Sequence, residues 1–107
     1  MNNQEFQKLL DHRLNRTKDT LGVKGSEYCK EDDRLKNFKD AALLNDVTPE
    51  QALWGFVTKH IVALKDFIKF PDKVTRTQWE EKIGDIICYM ILLEAILSKR
   101  WRNEDVH

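Results

Sequence analysis

The chain has 107 residues, 41% of them hydrophobic, and its 18 basic and 18 acidic side chains cancel to a formal net charge of zero. A chain of this length makes one small domain that buries only ~60–70% of its unfolded surface on folding, and this apolar content argues against disorder. Charge stays nearly balanced on either side of residue 50, so the concentrated basic footprint of a duplex-binding protein is not written here.

The opening MNNQEFQKLL lacks the apolar stretch of a secretory leader. Cys29 and Cys88 lie far apart with no CxxC partner, and they read as reduced thiols of a cytoplasmic protein. Over residues 3–20, Phe6, Leu10, Leu14, Thr17 and Leu21 recur at steps of four, four, three and four. That spacing predicts an amphipathic helix, with Gly22 placed as the C′ residue that ends it. Residues 23–33, VKGSEYCKEDD, carry a charge cluster without a period and read as a loop. Residues 34–45 return to helical spacing through Leu35, Phe38, Ala42 and Leu43, and Asn45-Asp46 closes that helix.

Thr48-Pro49-Glu50-Gln51 is a strong start signal: N-cap threonine, proline at N1, and glutamine at N3 to complete a capping box. The helix it opens is expected over 49–69, because Pro71 drives Phe70 out of helical dihedrals. Its main stripe is Leu53, Val57, His60, Leu64 and Phe67, and a second line of Trp54, Ile61 and Ile68 is expected to widen the buried face. Thr77 with Glu80 reads as another capping box, so the last helix is placed near 78–100. Ile83, Ile86, Ile87, Met90, Ile91, Leu93, Ile96 and Leu97 cover more than one of its faces, the pattern of a helix buried at the centre of a bundle. Its interrupting charges argue against a membrane span. The short connector 70–76 makes these two helices an antiparallel hairpin. No strand-like alternation is present, so the expected fold is all-α, a single-domain bundle of about four helices.

Chemistry concentrates on the last two helices. Glu81, Asp85 and Tyr89 stand at i, i+4 and i+8, sharing a face. Asp85 lies next to IICYMILL, where a lone carboxylate costs several kcal/mol unless it is paired. His60 interrupts the apolar stripe of the preceding helix. It sits roughly 16 Å below Pro71 along its axis, and Asp85 roughly 12 Å beyond Thr77, so the two are expected at one level of the hairpin. The alternatives are a core histidine with one hydrogen bond and acids that only complement a helix N-terminus. Lys59 points about 100° away from His60, toward the rim. The KGSEYCKEDDRLKNFK stretch mixes carboxylates suited to magnesium with bases suited to phosphate. No phosphate-binding loop, zinc spacing or nucleophile elbow occurs.

Four segments, KGSEY at 24–28, DDRLKNFKDAA at 32–42, TPEQALWGFVTKH at 48–60 and WEEKIGDIICYMILL at 79–93, resemble the nucleotide modification associated domain. This is a small helical family of bacteriophages and prophages. The resemblance implies a mostly helical phage-encoded protein of nucleotide metabolism. A looser similarity runs to the all-helical nucleoside triphosphate pyrophosphohydrolases of the MazG type, which hold magnesium with an ExxE pair and an ExxD pair. Here Glu81 and Asp85 are one residue further apart than ExxD, Lys82 stands where that acid would be, and Glu27 with Glu31 only approximates ExxE.

Two functions follow as expectations. One is magnesium-dependent hydrolysis or binding of a nucleotide. Glu81, Asp85 and Glu27 would then hold the metal, and Glu81, Asp85 and His60 would act in catalysis. Arg34, Lys59 or Lys82 would take phosphate oxygens, and Asn37 or Tyr28 would read the base. The alternative is a non-catalytic accessory protein that binds a host protein or a nucleotide signal, its polar residues fixing helix register. Trp54, Ile61, Ile68, Trp79 and Trp101 add apolar surface, from which a symmetric homodimer is expected.

Overall fold

The computed structural model describes the backbone of residues 1–24 and 33–105, with side chains for 1–22 and 33–102. The chain is all-α as expected: it is 88% helical, with four α-helices and no strand among the described residues. None of these helices is long and apolar enough to cross a membrane. Two compact units divide the chain, Met1–Arg34 and Leu35–His107.

In the first unit, α1 spans Asn3–Asp19 and begins where the Asn2 side chain accepts from the Glu5 N–H at 2.8 Å. An N-cap asparagine satisfies one of the donors that a first turn leaves open. Gly22 does not end this helix. The chain passes through it in a π turn over Thr20–Lys24, and no described glycine has a positive φ. Arg34 explains how the wide turn is tolerated: its guanidinium donates to the Leu21 and Gly22 carbonyls at 2.6 and 2.9 Å. Of the expected apolar stripe only Thr17 is buried, its hydroxyl donating to the Arg13 carbonyl at 2.9 Å, while Phe6, Leu10 and Leu14 stay exposed.

The second unit holds α2 (Lys36–Asn45), α3 (Pro49–Lys69) and α4 (Arg76–Asp105). Asp46 ends α2 in the left-handed region at φ 56°, and the Val47 N–H reaches back to the Ala42 carbonyl at 3.0 Å. This is the bonding of a Schellman-type stop. The Thr48–Gln51 capping box forms as read, with bonds of 2.9 and 3.2 Å. Phe70 leaves the helix at φ −130°, and a 3-10 turn over Pro71–Lys73 follows.

The second capping box sits two residues earlier than expected. Thr75 and Gln78 exchange side-chain and backbone bonds of 2.9 and 3.1 Å, and Glu80 pairs instead with Arg76 at 2.9 Å. Gln78 stands three residues after Thr75, the same spacing that Thr77 has with Glu80, so both pairs meet the sequence rule and the Thr75 pair is the one that forms.

Side-chain pairs fix the antiparallel register of α3 and α4. Phe67 meets Trp79 edge-on at 5.5 Å, His60 meets Asp85 at 3.6 Å, and Glu50 meets Arg100 at 2.6 Å. As the α3 number falls the α4 number rises, which is the hairpin the short connector required. The core gathers Leu35 and Phe38 from α2, Leu53 and Val57 from α3, and Ile96 from α4, with Tyr89, Leu92, Leu93 and Ala95 partly buried against it. Leu53 and Val57 are fully enclosed, and burying such side chains stabilises by ~1.5–3 kcal/mol each. Two expectations fail here. The line Trp54, Ile61, Ile68 is exposed, at 56, 39 and 66%. Helix α4 is not buried on several sides either, since Ile83, Met90 and Ile91 face outward and Ile96 is its one buried apolar residue among those described.

Candidate functional site: a polar cluster on the α3–α4 hairpin

Midway along the hairpin, α3 contributes His60 and α4 contributes Lys82, Asp85 and Tyr89. The i, i+3 and i, i+7 spacings of the last three keep them near one face of α4. Lys82 Nζ lies 3.2 Å from His60 Nδ1, and Asp85 Oδ2 lies 3.6 Å from that same nitrogen. The Tyr89 ring tilts against the imidazole with centroids 5.2 Å apart. An ammonium has only protons to give, so its contact needs a lone pair on Nδ1, whereas the carboxylate contact needs a proton there. His60 Nδ1 therefore stands between two partners, one asking it for a lone pair and the other for a proton. Burial, and then the Asp85 charge, push the Tyr89 phenol above its ordinary range.

The juxtaposition of His60 and Asp85 follows from the helical levels as read. The reason given for it does not hold, because the Asp85 side chain is 51% exposed against 22% for His60. Asp85 sits at the edge of the interface, where water already offsets part of its charge, so its pairing is not forced by burial.

The remaining candidates do not all converge. Glu81 is exposed on α4, and no group of three His, Cys, Asp or Glu able to hold a metal occurs among the described residues. Glu81, Asp85 and His60 thus form no three-ligand site by themselves, and Lys82 brings a competing cation to the imidazole. Glu27, expected as a third metal ligand, and Tyr28, expected at the base, lie outside the described residues. Lys59 is exposed on α3, one residue from His60, and Asn37 is exposed in the first turn of α2. Arg34 belongs to the first unit, where its guanidinium is occupied by the two carbonyls of the π turn.

No family model, characterised protein or solved structure matches the chain. What it does must be argued from its own residues.

A second polar feature was missed in the sequence. Glu50 and Arg100 close the end of the hairpin away from the connector, 2.6 Å apart. The Thr48 hydroxyl foremost, with further help from Arg100, holds the Glu50 carboxyl below its usual range against the opposing effect of burial. Oε1 of Glu50 is buried and has no hydrogen-bond partner, while Oε2 takes the Arg100 guanidinium. The available signal was register: once 67 and 79 are paired across an antiparallel hairpin, 50 and 100 fall near one level. Tyr89, read from the sequence as the next member of the Glu81–Asp85 face, does join the cluster, against the His60 ring.

Proposed function

We propose that this protein binds a nucleotide, its phosphates engaging Lys82 and His60 on the hairpin and its counter-ion Glu81 and Asp85. The observation that carries the reading is the 3.2 Å approach of Lys82 Nζ to His60 Nδ1 beside Asp85. It gathers a cation, an imidazole and a carboxylate from two rigid helices at one half-exposed spot. Phosphate oxygens are pure acceptors, so an ammonium and an imidazole N–H suit them, and Lys59 adds a cation one residue from His60. Magnesium prefers oxygen ligands and keeps several waters, so two carboxylates on one helix suit a metal–phosphate complex better than a closed protein cage. Its role there would be to neutralise phosphate charge. The resemblance to the nucleotide modification associated domain points to the same ligand class and to a phage source.

Titration calorimetry with a panel of ribo- and deoxynucleoside triphosphates, with and without magnesium, tests this. Binding that weakens at least about tenfold in Lys82→Gln and in Asp85→Asn is the expected result. Failure of the whole panel to bind in either condition rejects the proposal. Phosphate and pyrophosphate release, followed in the same samples, decides whether binding leads to hydrolysis.

A second reading rests on a different observation, the outward stripe of Trp54, Ile61 and Ile68 at seven-residue spacing on α3. A unit of this size with so few enclosed side chains gains little from its own core, and a second copy set against the stripe would cover it. The proposed assembly is a homodimer, with a host protein as the competing occupant. Sedimentation at tens of micromolar that gives a dimer for the wild type and a monomer for Ile61→Glu supports self-association. A wild-type monomer leaves the accessory, partner-binding role as the reading of that face.

A further inference from the structure

Between the first turn of α3, the start of α2 and the last turns of α4 lies an open groove of ≈ 290 Å³, lined by Leu35, Lys39, Pro49, Ile96, Lys99 and Arg100. Its chemistry is lopsided. Three lining residues are apolar and three are cationic, and none is acidic, in a chain whose charges cancel. Leu35 and Ile96 belong to the hydrophobic core itself, so the floor of the groove is built from core side chains. Pro49 presents a ring and no backbone donor at the start of α3, which keeps that wall apolar.

We propose that this groove is a binding site for a small amphipathic carboxylate, an acyl or aryl acid, whose apolar body lies on Leu35, Pro49 and Ile96 and whose carboxylate meets the Lys39, Lys99 and Arg100 rim. Charge complementarity selects an anion, and the apolar floor rejects one without an apolar body. The volume lies at the lower end of the ~300–1,000 Å³ usual for small-molecule sites, which limits the occupant to a short chain or a single ring system. The rim cations are already engaged within the chain, Arg100 with Glu50 and the two lysines with contacts of their own. An incoming carboxylate therefore shares a positive field instead of filling a gap. Arg100 keeps further N–H donors beyond the one given to Glu50. Glu50 lies ten residues before His60, about 15 Å along α3, so this site is separate from the hairpin cluster and does not depend on the nucleotide reading.

The test uses the full chain with carbon-13-labelled Leu and Ile methyl groups and sodium octanoate as probe. Octanol and inorganic phosphate serve as the uncharged and the body-less controls. Saturable shifts of the Leu35 and Ile96 methyls by octanoate are expected, with both controls at least about tenfold weaker. The Lys39→Gln/Lys99→Gln pair should weaken octanoate by about tenfold or more, while Lys39→Arg/Lys99→Arg restores it. Raising salt should weaken binding too, because the rim is exposed. Octanol binding as well as octanoate, phosphate binding as well, affinity unchanged in the double Gln variant, or absence of saturable shifts would each overturn the proposal.

Discussion

His60 Nδ1 cannot serve both of its neighbours in one protonation state. Without a proton, Nδ1 accepts from Lys82 at 3.2 Å and turns a lone pair toward Asp85 at 3.6 Å; with one, in either the neutral tautomer or the cation, it donates to Asp85 and gives up the Lys82 contact. The two contacts therefore exclude one another at that nitrogen. Opposite charges near 4 Å interact by about 1 kcal/mol in bulk water and about 4 kcal/mol at an effective dielectric of 20. Asp85 is half exposed, which places the pair toward the weaker limit, and exposed ion pairs measure ~0.2–1 kcal/mol. A double-mutant cycle of His60→Gln and Asp85→Asn, read by urea denaturation, should give a coupling of ~0.2–1 kcal/mol, and the coupling should grow in a Lys82→Met background, which removes the competing donor. Equal coupling in the wild type and in the Lys82→Met background would refute the competition, and strict additivity in both would show that the contact has no energetic content.

Three further outcomes follow from single features. Thr75→Ala should cost ~0.5–2 kcal/mol as the loss of a capping box, whereas Thr77→Ala should stay within about 0.5 kcal/mol; thermal melts of the two distinguish the formed cap from the one expected two residues later. Glu50→Gln should destabilise at neutral pH, because a carboxyl whose folded-state pKa is depressed adds stability above its unfolded value of ~4.3 and loses it as pH falls through the folded value; the gap in melting temperature from the wild type should close on acidification. In a Tyr28→Phe background, phenolate absorbance should show Tyr89 titrating above its ordinary value of 10.0, and Asp85→Asn should bring it only part of the way back, since burial is the larger cause.

Much of the second unit was legible because its signals are local. A threonine, a proline and a glutamine at fixed offsets define where α3 begins, and Pro71 defines where it ends, whatever packs against it. The meeting of His60 and Asp85 was legible for a related reason: a short connector forces an antiparallel hairpin, and a rise of 1.5 Å per residue turns sequence number into height. The α4 start was misplaced because two overlapping threonine boxes, 75–78 and 77–80, satisfy the same rule, and local chemistry does not rank them. Gly22 was misread because a C′ glycine stops a helix only if something favours the left-handed turn there. Arg34, twelve residues away, stabilises the wide right-handed turn instead by taking the Leu21 and Gly22 carbonyls.

Periodicity says which side chains share a face, and it is silent on whether the face is covered. Leu53 and Trp54 are adjacent on α3 and both apolar, yet one is fully enclosed and the other more than half exposed. The difference lies in α2 and α4, whose Phe38 and Ile96 lie over the Leu53 side of the helix only. The argument that Asp85 must be paired failed at the same step, since apolar neighbours in sequence, Ile86 and Ile87, do not make a buried environment when the helix turns 100° per residue and one side meets water. What remains outward along α3, Trp54, Ile61 and Ile68, keeps the seven-residue spacing of a helix-packing seam. A seam that regular is a stronger argument for a second helix against it than the apolar count from which the dimer was first expected, because scattered surface apolar residues need no explanation and a repeated row of them does.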